Sequence, residues 1–223
     1  MMVHGIVLSR TEMSADRFCT SVAIHRGGTW EQVRLLDEGG FHPNRDGFAY
    51  ARQVILAKWV PGRNIRLPEP EVRDPRPTHP EDRVVDLERI VLGEMADPAT
   101  LLALVRAMTS PSARALFPNI VWQDNGKTYV RGNAPQERSI GYVNIERLAI
   151  RSDEYADVRM RAGESLVCKI KSEIFLAKIR DGRVAVNEEF PARTARLGLA
   201  NPYDWDGRFN PPRCYVMLTG TVR

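Results

Sequence analysis

Hydrophobic and polar positions alternate in short blocks along most of this chain, and turn residues separate the blocks. The opening run Val3–Ser9 is apolar and β-branched, and Phe18–Ile24 alternates loosely. Gly27-Gly28 then supplies a turn before Trp30–Leu36, in which Trp30, Gln32, Arg34 and Leu36 share one face of a strand. A hairpin through the two glycines pairs the second and third runs. Gln53–Val60 reads as a strand or short helix that Pro61-Gly62 stops. Between 61 and 83 lie Pro61, Pro68, Pro70, Pro75, Pro77 and Pro80, interleaved with Arg63, Arg66, Arg73, Arg76 and Arg83. Proline at this density removes backbone donors, so the segment reads as an extended strap rather than a helix or central strand.

Order resumes at Val84–Leu92, as a strand or short helix. Asp97 is a good N-cap, Pro98 occupies the favoured first helical position, and Leu101, Leu102, Leu104, Val105 and Met108 form one apolar face. Ser110-Pro111 interrupts this helix, and Ser112 caps a further turn through Leu116. Strands then return: Ile120–Trp122 and Thr128–Val130 flank the hairpin signal Asp124-Asn125-Gly126-Lys127. Gly141–Ile150, Asp157–Arg161 and Ser165–Ile170 follow, and Cys214–Val222 closes the chain. Arg180-Asp181-Gly182-Arg183 reads as a second hairpin, between Ile174–Ile179 and Val184–Val186.

Many short strands with frequent turns predict a mainly β protein with a helical insertion, built as two small OB-like barrels or one elaborated β-barrel. The expected organisation is a β-rich lobe at 1–92 carrying the strap at 61–83, a helical insertion at 93–118, and a second β-rich lobe at 119–223.

Composition changes this picture only in part. Lys and Arg total 32 against 28 Asp and Glu, a net charge of +4, and 27 of the 32 cations are Arg. Guanidinium is a planar fork suited to phosphate, yet codon usage in a GC-rich genome yields the same skew. Apolar runs such as Leu101–Val105 fall far short of the roughly 20 residues of a membrane span. The N-terminus shows no secretory pattern, and three cysteines make no disulfide framework, so the expected location is cytoplasmic, without a membrane partner.

The chain has no phosphate-binding Gly-rich loop, no nucleophile elbow, no His-Glu-x-x-His helix and no Cys-x-x-Cys pair. Its four histidines, His4, His25, His42 and His79, lie near Gly or Pro and read as loop residues. No catalytic residue, metal ligand or cofactor is assigned. A zinc site from Cys19, His25 and Cys214, or a metal-dependent nuclease around Glu164 and Glu173, fits the residue types but no known spacing. The more productive pattern interleaves bases with aromatics: Trp30 with Arg34; Trp59 with Arg63 and Arg66; Lys127, Tyr129 and Arg131; Lys169 and Lys171; Phe175 and Lys178. Such residues on a barrel stack bases and track a phosphate backbone. Aromatics on strands also serve as core under long basic side chains, so the two readings stand side by side.

Several of these segments together resemble the dual OB-containing domain family of prokaryotes. The likeness lies in Ile6-Val7-Leu8-Ser9-Arg10, Arg17-Phe18-Cys19-Thr20, Trp30–Asp37, Arg138–Val143 and Pro212–Val222. Glu31-Gln32-Val33 makes the Trp–Arg spacing longer than in the family, and the strap is individual. The resemblance implies two OB-like barrels and a non-enzymatic nucleic-acid-binding role in a defence or mobile-element system. The expected partner is DNA or RNA, with single strands favoured. The alternative is an adaptor holding a partner protein of the same operon, with the proline-rich strap lying across it; a nuclease ranks last.

Overall fold

The computed structural model describes residues 1–12, 18–38, 60–72, 78–123, 125–190, 193–203 and 207–222. The run Gln53–Trp59, with the expected contact residue Trp59, lies outside these residues. The chain divides into two compact units, one of residues 1–75 and 81–107, the other of 76–80 and 108–223. Both are β-rich.

The first unit holds β1 (Met2–Glu12), β2 (Phe18–Arg26), β3 (Thr29–Leu36), β4 (Arg63–Pro68), β5 (Asp82–Val84) and β6 (Val91–Met95). Gly27 and Gly28 both take positive φ (53° and 83°), the backbone that a tight hairpin needs, and β2 and β3 pair outward from Arg26 and Thr29. β1 pairs with β2 and β4, β2 with β3, and β3 runs parallel to β5. Glu71, just past β4, exchanges backbone hydrogen bonds with Val84 of β5 (2.9 and 2.8 Å) and closes the ring. The order 1-2-3-5-4 returning to 1, with 3 and 5 parallel, is that of a five-stranded OB barrel. Its core gathers Val3, Val7, Val22, Ile24, Val33, Leu35, Ile65 and Leu67. The proline-rich stretch is therefore not strap throughout. Between Pro61 and Pro68 the backbone donors are intact, and β4 forms there, from Arg63 to its last residue Pro68, seated between β1 and β6.

Helix α1 (Pro98–Ala107) completes the first unit, with Asp97 Oδ2 accepting from the Thr100 amide at 2.9 Å as the sequence predicts. No described helix is long and apolar enough to cross a membrane.

The second unit begins with β7 (Thr109–Ser110) and the one-turn α2 (Ala113–Leu116), capped by Ser112. A hairpin of β8 (Val121–Trp122) and β9 (Thr128–Arg131) leads to β10 (Ile140–Ile150), β11 (Tyr155–Met160) and β12 (Ser165–Ile170). Helix α3 (Glu173–Arg180), β13 (Thr194–Leu199) and β14 (Arg213–Val222) follow. β10 pairs with β11 and β13, β11 with β12, β13 with β14, and β12 runs parallel to β14. This is the same OB connectivity, and here a helix lies between the third and fourth strands. One core cluster fills it, including Val143, Ile145, Leu148, Val158, Leu166, Phe175, Leu197 and Val216.

Two sequence expectations change here. Residues 173–180 are helix, not the first arm of a hairpin: Ser172 Oγ caps the Phe175 amide, and Gly182, at φ 67°, ends the helix. The Arg183 amide bonds the Lys178 carbonyl (2.8 Å) and the Gly182 amide the Ile179 carbonyl (3.0 Å), a Schellman stop that shares its Asp-Gly signature with a hairpin turn. β13 goes unannounced in the sequence, because Thr-Ala-Arg-Leu-Gly-Leu lacks alternation and is buried on nearly every position.

Candidate nucleic-acid interface

The second barrel's outward side chains come from the alternation of its strands. On β14, Arg213, Tyr215 and Met217 are half-buried on the outside while Cys214, Val216 and Leu218 fill the core. Lys169 on β12, Tyr155 on β11, and Tyr129 and Arg131 on β9 project likewise. Strand register sets these residues in rows. Tyr155 lies opposite Lys169, and Lys169 opposite Met217; Tyr129 lies opposite Tyr215, and Arg131 opposite Arg213.

Cation–ring contacts tie the rows together. The Arg213 guanidinium sits 4.5 Å from the Tyr129 ring centre and 3.9 Å from that of Phe209. Tyr129 and Tyr215 are 5.9 Å apart. Lys127 Nζ lies 4.5 Å over the Tyr155 ring and donates to its hydroxyl at 3.3 Å, while Lys169 pairs with Glu154 at 3.2 Å. Arg131 and Arg213 face each other across β9 and β14, and neither forms an ion pair among the described residues. Like charges placed directly opposite destabilise a sheet. Stacking holds Arg213 in place, so the pair presents positive charge beside half-buried aromatic rings.

Four sequence-predicted residues thus converge here: Lys127, Tyr129, Arg131 and Lys169. Lys171, just beyond β12, is half-buried and its amide bonds the Leu218 carbonyl (2.8 Å). Phe175 is core, 3% exposed and 4.8 Å from Phe190, because it sits on the inward face of α3. Lys178 lies 5.7 Å from the Phe190 ring, on the same helix. Tyr155, Phe209, Arg213 and Tyr215 belong to the surface but were not selected from the sequence. The alternation Arg213-Cys214-Tyr215 carried the signal for two of them.

In the first barrel, Arg34 is no surface cation. It is 2% exposed, and its Nε donates to Asp82 Oδ1 at 2.7 Å. Burial works against its charge, but Cys19, Asp82 and Glu81 favour it, and its proton affinity is raised overall. Arg63 donates to the Gly93 carbonyl at 3.1 Å, whereas Arg66 is exposed. Trp30 is half-buried, on the sheet face opposite the core. His4 and His25 lie on strands beside it rather than in loops, His79 is buried against Thr78, and His42 lies outside the described residues. The Glu164 carboxylate accepts from the Ala113 amide at 2.7 Å, a helix-capping position. No group of three described His, Cys, Asp or Glu residues is placed to hold a metal ion.

No family model matches the chain, and no curated protein matches it. Among solved structures, a HINb domain is similar over 96% of this chain and 95% of its own, at 11% identity and a TM-score of 0.39. A murine DNA binding protein bound with double-stranded DNA covers 100% of this chain and 97% of its own, at 11% identity and 0.37. An Ifi202 HINa domain in complex with double-stranded DNA covers 99% and 91%, at 9% identity and 0.37.

Proposed function

We propose that this chain is a non-enzymatic nucleic-acid-binding protein that takes single strands on the outer face of its second barrel. One observation carries the reading: Arg131 and Arg213, opposite each other and without carboxylate partners among the described residues, beside the rings of Tyr129, Phe209 and Tyr215. Phosphates seat between the guanidiniums, and bases stack on the tyrosines. Lys127 extends the positive track toward β12, where Lys169, paired with Glu154, borders it. OB barrels present the outer face of their second and third strands to oligonucleotides, here β11 and β12 with Tyr155 and Lys169, and every base offers a π face, so the binding is sequence-tolerant. Service in a prokaryotic defence or mobile-element system belongs to the same proposal, and the neighbouring genes test it.

The experiment is an anisotropy titration with single-stranded and duplex DNA and RNA at two salt concentrations. Binding that weakens steeply with salt supports the reading. Absence of binding to every oligonucleotide at low salt overturns it.

A second reading, a protein adaptor, is favoured by β6. All five of its residues are exposed, with Val91 at 55% and Met95 at 50%, and it pairs only with β4 among the described residues. An open apolar edge is a template for strand addition by a partner. Co-purification of a protein free of nucleic acid, lost in Leu92→Lys, distinguishes it.

A further inference from the structure

Across the first barrel, register places four side chains in one row: Trp30 on β3, His25 on β2, His4 on β1 and Arg66 on β4. The row spans three interstrand spacings, about 14 Å. The Trp30 ring lies 5.0 Å from the His25 ring and 5.6 Å from that of His4, at interplanar angles of 49° and 67°. His4 Nε2 is within 3.0 Å of Asn64 Oδ1, which fixes its ring against β4. His4, His25 and Arg66 are exposed, and Arg66 forms no ion pair among the described residues.

This row is on the solvent side of the sheet. Val3, Val22, Ile24, Val33 and Leu67, adjacent along the same strands, point the other way into the core. An indole there does no core packing, and two imidazoles hold it edge-on and tilted instead of covering it. A lone cation at the end of a row of rings matches one chemistry: an unpaired base against the rings and the adjoining phosphate on the guanidinium.

We propose that Trp30, His25, His4 and Arg66 form a second, separate subsite for single-stranded polynucleotide, on the first barrel. It rests on the reading that the chain binds nucleic acid.

The test uses the full chain and a fluorescein-labelled oligothymidylate of roughly 30 nucleotides, at 4–16 per OB barrel. Trp30→Ala weakens binding about tenfold, and Trp30→Tyr restores most of it. Because Trp30 is half-buried, circular dichroism checks its fold, and Arg66→Glu, at an exposed position, gives a second variant that weakens binding and lowers the salt slope. Each effect adds to that of Arg213→Ala. If the oligonucleotide binds and only the Arg213→Ala variant weakens it, the second subsite is refuted and the function stands. If wild type binds no oligonucleotide at all, both fall.

Discussion

Arg34 shows how one residue type takes two roles in this chain. Sequence periodicity puts it on the face of Trp30, and the structure keeps it there, but buried against Asp82. Removing one partner of a buried pair leaves an uncompensated charge, so Asp82→Ala should cost about 3–5 kcal/mol in urea denaturation. Arg34→Met combined with Asp82→Leu should cost far less, since both charges then leave together. Cys168 makes a second test. Burial, and then the negative charge of Asp157, push its thiol up from 9.0 to about 12. A raised folded value stabilises the protonated form, so this contribution is complete below pH 9.0 and is lost as pH rises toward about 12. Stability should drop by on the order of 1 kcal/mol by pH 10, and less in Cys168→Ala. Tyr142, raised by burial despite Arg196, acts in the same direction at higher pH.

Among the elements, those with local chemistry were legible in the sequence. Asp97-Pro98 starts α1, Ser112 caps α2 and Gly27-Gly28 turns β2 into β3, because caps and tight turns need particular residues at particular places. Where two structures share one local signature, the reading failed. Asp181-Gly182 suits a hairpin and a helix stop equally, and only the apolar face of α3, packed through Phe175 on the core, decides for the helix. Gly182 takes φ 67° with open space around a would-be Cβ. Gly182→Ala therefore carries backbone strain alone, about 1 kcal/mol, measurable by thermal melting without loss of the fold. β13 was silent because a strand buried on both faces has no alternation to read.

At the scale of the whole molecule, the candidate surface is a product of closure. Lys127, Tyr129, Lys169 and Arg213 are up to 86 residues apart, 213 − 127, and meet because β12 pairs with β14 and β14 with β9. If these cations bind phosphate, Arg131→Ala and Arg213→Ala should each reduce the slope of log affinity against log salt by about 1, uniformly across sequences. Titrations at several salt concentrations check this; an unchanged slope in both variants removes the pair from the interface.

By itself the sequence determined that this is a mainly β protein with a short helical part, because alternation, turn glycines and caps act over a few residues. Half-buried strands also marked the basic and aromatic positions of β9 and β12. Only the tertiary structure decided which bases face outward. Arg34 and Arg131 each share one face of a strand with an aromatic residue, Trp30 and Tyr129. The first is enclosed with a carboxylate, while the second stands exposed against another guanidinium. That difference depends on strand pairing between distant segments, which no local pattern encodes.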